Sequence, residues 1–118
     1  MPADAAIDLE HLARYTGGDA ALDAEILRLY EMQTSELVAR LRSILEARDE
    51  KSWKEVTHTI KGAARGIGAF AMADAAVQCE LLGIDDPGIA AKAIDKLQSE
   101  TEAVQAFVKA HRAARPDL

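Results

Sequence analysis

The segment Glu50-Lys51-Ser52-Trp53-Lys54-Glu55-Val56-Thr57-His58-Thr59-Ile60-Lys61-Gly62-Ala63-Ala64 reads as one amphipathic helix. Wound at about 100° per residue, Trp53, Val56, Thr57, Ile60 and Ala64 gather on one side. His58 stands roughly 150° from the centre of that stripe, so the tryptophan is expected inside and the histidine in water. Lys61, Gly62 and Arg65 follow at the i+3, i+4 and i+7 spacings that bring side chains together, on the same outer face as His58. A helix with one apolar face needs neighbours to cover it, and the flanking sequence supplies them.

Upstream, Arg48-Asp49-Glu50 turns the chain out of a long helix that Asp19 caps and that runs to about Ala47. Its expected inward stripe is Leu22, Ile26, Leu29, Leu37, Leu41 and Ile44. A short helix precedes it, capped by Asp8, with Ile7 and Leu12 placed as a hydrophobic staple and Gly17-Gly18 as its end. Downstream, Gly66 and Gly68 close the histidine helix, and a fourth helix begins near Ala69. It is expected to bury Phe70, Ala73, Val77 and Leu81 before stopping around Gly83. Asp86-Pro87 is a restart, a cap followed by the first helical position. The last helix turns Ile94, Leu97, Val104 and Val108 inward and frays at His111-Arg112. Short connections predict an all-α fold, an antiparallel up-down four-helix bundle with a short additional N-terminal helix as a lid. Residues 1–118 form one domain in this reading, ordered from about 8 to 112 with polar tails at both ends.

Composition agrees. The chain has 118 residues, the size of one domain, and is rich in alanine and leucine, both good helix formers. No period-2 run of β-branched residues marks a strand. A net charge of −6, from 14 basic and 20 acidic residues, argues against a nucleic-acid partner. No apolar run has the length of a membrane span, and the N-terminus lacks the features of a signal peptide. A single cysteine, Cys79, excludes an internal disulfide and fits a reducing cytoplasm.

An exposed imidazole near neutrality keeps one ring nitrogen unprotonated, able to attack phosphorus. Lys61 and Arg65 can offset the charge of a phosphoryl group. Gly62, mid-helix, gives up about 1 kcal/mol of helix stability against alanine and suits a site where another body approaches the backbone.

The run His58-Thr59-Ile60-Lys61-Gly62-Ala63-Ala64-Arg65-Gly66-Ile67-Gly68-Ala69 resembles the signature of histidine-containing phosphotransfer (HPt) domains: histidine, two residues, Lys-Gly, then Gly-Ala five residues on. Asp8-Leu9 and Tyr15-Thr16-Gly17-Gly18-Asp19 look like the family's opening, so the resemblance spans nearly the whole chain. It implies a phosphocarrier and not an enzyme. His58 would accept a phosphoryl group at Nε2 from a receiver-domain aspartyl phosphate, or from a kinase, and pass it reversibly to another receiver. The implied partners are response-regulator receiver domains and a cognate (hybrid) histidine kinase. Mg²⁺ and the acidic pocket would belong to the receiver, and no cofactor to this chain. Lys54, Lys61 and Arg65 would complement that pocket. By family position Glu80, with Gln78 as the alternative, would bond the Nδ1–H and fix the tautomer. Leu9, Leu12 and Tyr15 are the implied docking residues.

Other readings are weaker. A kinase needs glycine boxes for nucleotide and a dimerisation-type histidine segment, and neither is present. A metal-binding bundle needs Glu-x-x-His pairs on inward faces; none occurs, and no metal site is expected. An interaction module that had lost phosphotransfer would be expected to lose His58 first. His11 and His111 lack comparable company and read as surface residues, while Cys79, Trp53 and the methionines read as packing. A monomer is expected. The initiating Met1 and the polar ends favour a standalone protein over an excised piece of a hybrid kinase.

Overall fold

The structure, a computed structural model, describes residues 5–116. Five helices follow in order: α1 (Leu9–Thr16), α2 (Ala20–Glu46), α3 (Glu50–Ile67), α4 (Phe70–Leu82) and α5 (Pro87–Ala113). Each of α2 and α4 packs against both α3 and α5, so the four close a ring, and α1 rests on α2 and α3. No strand occurs among the described residues. The molecule is an all-α helical bundle with a short N-terminal helix.

Capping sets the boundaries. Asp8 accepts from the backbone N–H groups of Glu10 and His11, Asp19 from Leu22, Asp49 from Ser52, and Asp86 from Gly88 and Ile89. Ile7 and Leu12, on either side of the Asp8 cap, are both buried. Gly68 ends α3 with φ +87°, and its missing side chain lets α1 dock: a Cβ there would lie 2.8 Å from the Asp8 carbonyl oxygen. The Asp8 N–H donates to the Gly68 carbonyl oxygen at 3.0 Å, which ties the start of α1 to the α3–α4 turn.

The inward faces of α3 and α5 are those expected, with Trp53, Val56, Thr57, Ile60 and Ala64 on α3 and Ile94, Leu97, Val104 and Val108 on α5. Two stripes differ. On α2 the buried set is Leu27, Tyr30, Thr34, Val38, Leu41 and Ile44, while Leu22 and Leu29 are exposed. The true register passes through two polar residues whose hydroxyls are satisfied inside: Tyr30 Oη to Met72 Sδ at 3.0 Å and Thr34 Oγ1 to the Tyr30 carbonyl at 2.7 Å. On α4 the buried set is Met72, Ala73, Ala75, Ala76 and Cys79, and Phe70 and Leu81 face out. Mostly small residues line the inner face of α4 beside the one large buried side chain, Met72, while Phe70, Leu81 and Leu82 are left exposed.

Two histidines read as surface residues are also corrected. His111 is buried and stacks over Phe107, and burial holds its imidazole below the usual histidine range. His11 is half-buried, its ring edge-on to Tyr15 and Phe70, and its Nε2 is enclosed without a hydrogen-bond partner.

Candidate functional site

The site is built from α3 and α4, held in register by Trp53. Its indole is fully buried and its Nε1–H donates to the Cys79 carbonyl oxygen at 2.9 Å, bridging the helices one residue before Glu80. Thr57 turns its hydroxyl back to the Trp53 carbonyl at 2.8 Å, so the polar residue on the inner face beside His58 is satisfied within its own helix.

His58 emerges on the other side with 68% of its side chain exposed. Its Nδ1 faces Glu80 Oε2 at 3.4 Å, longer than a well-formed hydrogen bond but within ion-pair range. The other carboxylate oxygen, Oε1, accepts from Lys61 Nζ at 3.0 Å. Glu80 therefore stands between the histidine and the lysine. The Lys61 hydrogen bond is the main cause that holds the Glu80 carboxyl below the usual carboxylate range, with smaller help from the charges of Lys61 and His58 against burial.

The expected residues separate into those the fold brings together and those it does not. Lys61 is only 18% exposed and committed to Glu80, so it lies on the flank of α3 toward α4 and not on the open face beside His58. The correction has a simple cause: a long flexible side chain follows the nearest carboxylate, and Glu80 lies on the neighbouring helix, outside any reading of α3 alone. Arg65 is exposed and has no ion-pair partner among the described residues. Gly62 is exposed, and a Cβ there would meet nothing within 4 Å, so nothing inside the molecule requires glycine. Gln78 lies about 200° around α4 from Glu80, exposed and away from His58. Lys54 is exposed and pairs with Glu50 at 3.7 Å. Of the three docking positions, Tyr15 is open, Leu9 is half-buried against the core, and Leu12 is 2% exposed. Leu12 is the staple of α1 and has no surface to present to a partner.

Sequence reading missed the Trp53–Cys79 tie and the outward turn of Phe70 and Leu81. No periodic signal could have found the second, because the few polar residues of α4 (Asp74, Gln78 and Glu80) do not gather on one side. Among the described residues no group of three or more His, Cys, Asp or Glu side chains is placed to hold a metal ion. None of the helices there is long and apolar enough to cross a membrane.

The site is thus a helical ring that presents an exposed histidine, backed by a carboxylate and a lysine from its own wall. The family model of the Hpt domain matches residues 25–107, and the chain belongs to that family. It is a phosphorelay intermediate that carries a phosphoryl group on a histidine, and so a phosphocarrier. Among solved structures it is similar to the histidine phosphotransferase ShpA from Caulobacter crescentus. The two are 31% identical with a TM-score of 0.53, over 93% of this chain and 99% of that one. Comparison with curated proteins gives no match.

Proposed function

We propose that His58 is the phosphoryl-bearing residue, loaded from a receiver-domain aspartyl phosphate or a histidine kinase and discharged reversibly to another receiver. The observation that carries this reading is the facing of His58 Nδ1 and Glu80 Oε2 at 3.4 Å, on a histidine otherwise open to solvent. A carboxylate there favours the tautomer with the proton on Nδ1 and leaves the Nε2 lone pair as the nucleophile. Nε2 attacks phosphorus while the P–O bond to the aspartate breaks, and the aspartate leaves as a carboxylate with the bonding pair. The ring keeps its Nδ1 proton and becomes a cation, whose charge the ionised Glu80 offsets. In the reverse step a second receiver's aspartate attacks phosphorus and Nε2 departs as neutral imidazole.

Arg65, and Lys61 once the phosphoryl group competes with Glu80 for it, donate to the phosphoryl oxygens. Lys54 adds to the basic face, and Gly62 leaves clearance for the partner's active site. Tyr15 and Leu9 contribute to docking. The partner supplies the catalytic groups and the Mg²⁺, and this domain binds no cofactor of its own. It works as a monomer in the cytoplasm, with receivers and a cognate (hybrid) kinase as partners and with neither nucleic acid nor membrane. Incubation with a receiver charged by acetyl phosphate tests the reading: wild type should gain acid-labile label and His58→Gln none. Label on the variant would refute it.

A further inference from the structure

An interface that holds two proteins long enough for transfer buries about 800 Å² on each, with an apolar centre and a polar rim. The outer face of α3 cannot provide that centre. Lys54, Glu55, Thr59, Gly62, Arg65 and Gly66 surround His58 there, all exposed and none apolar and large.

The adjoining helix can. Phe70, Val77 and Leu81 stand at i, i+7 and i+11, one face of α4. Phe70 is 44% and Leu81 74% exposed, and Val77 is half-buried between them. α4 is largely apolar and has no polar side, yet it packs only on α3 and α5 and leaves this face uncovered. The stripe borders the histidine site, since Val77, one turn before Glu80, and Leu81, next after it, lie to one side of the residue that faces His58. At its upper end Phe70 lies edge-on to His11, which lies edge-on to Tyr15, so an aromatic run extends it onto α1. Exposed Asp74 interrupts it with one negative charge.

We propose that the outer face of α4, centred on Leu81 and Val77 and ending at Phe70, is the apolar core of the docking surface for the receiver that exchanges phosphate with His58. The inference rests on the reading of His58 above. The fitting partner face is apolar, with a basic residue opposite Asp74.

The test uses two phosphate donors: a receiver that phosphorylates the wild-type chain, and phosphoramidate, a small donor that needs no docking. Leu81→Asp and Phe70→Ala should each raise the receiver concentration for half-maximal transfer by about ten-fold or more. Labelling of His58 by phosphoramidate should stay at the wild-type rate, and circular dichroism with cooperative thermal melts should match wild type, which reports that the variants are folded. Met32→Asp, an equally exposed site on α2 diagonally across the ring, should change neither. A wild-type concentration dependence in Leu81→Asp overturns the proposal. So does sedimentation that shows a wild-type dimer converted to monomer by Leu81→Asp, since a second copy would then cover the stripe. Failure of the underlying reading looks different: wild type takes no label on His58 from either donor.

Discussion

Trp53 Nε1 donates to the carbonyl oxygen of Cys79 at 2.9 Å, and through that bond a residue of the buried face of α3 sets the height of α4. Glu80 follows Cys79 directly, so its carboxylate comes level with His58 and Lys61. Trp53→Phe keeps most of the packing and removes the bond. It should cost about 1 kcal/mol in urea denaturation and slow phosphotransfer as well. Trp53→Ala should cost about 3–5 kcal/mol. A Phe variant with wild-type stability and rate would show that the bond does not set the register.

Glu80 serves two neighbours, and its loss should be felt at both. Glu80→Ala is expected to slow phosphorylation of His58 about ten-fold, the rate equivalent of one modest electrostatic contact. Nitrogen NMR should show a larger share of the tautomer with the proton on Nε2. An unchanged rate and tautomer ratio would remove Glu80 from the site. The Glu80 carboxyl is held below its ordinary value, so the stabilisation it contributes is complete above the unfolded carboxylate range and is lost as pH falls through the folded value. The Lys61 pair should therefore persist at neutral pH and break only in acid.

Gly62 offers a trade. Nothing in the molecule would meet a methyl group there, so Gly62→Ala should raise stability by about 1 kcal/mol. The same methyl stands one turn from His58, where the partner must approach, and transfer from a receiver should slow. A variant that is both more stable and equally fast would show that the glycine is not clearance.

His111 predicts a pH effect far from the phosphate. Its imidazole is buried and held below the usual range, mainly by burial and then by the charge of Arg115, against an opposing pull from Asp23. The unfolded chain then takes up the proton first, so stability should decline as pH falls through the ordinary histidine range. His111→Phe should flatten that decline in thermal melts recorded between pH 7 and pH 5, a range about the histidine pKa. Melts of equal slope would assign the effect elsewhere.

The histidine helix was legible because its two faces differ sharply: Trp53, Val56 and Ile60 against His58, Lys61 and Arg65. The start of α2 was not, since its buried register runs through two polar residues, Tyr30 satisfied by Met72 on α4 and Thr34 by the carbonyl one turn back. The outer face of α4 was hidden for the opposite reason, as Phe70 and Leu81 look like core in a helix with no polar side to orient it. Glu80 came from family position, and the structure adds that Lys61 competes for it. Leu12 shows the limit of such analogy: an apolar residue on the right helix, used for the staple.

The central claim is that phosphate resides on Nε2 of His58. The most direct measurement is phosphorus and nitrogen NMR of the phosphorylated protein. A single phosphorus signal coupled to Nε2 of His58, absent from His58→Gln, is the expected result. A phosphoryl group on Nδ1, or on His11 or His111, would contradict it.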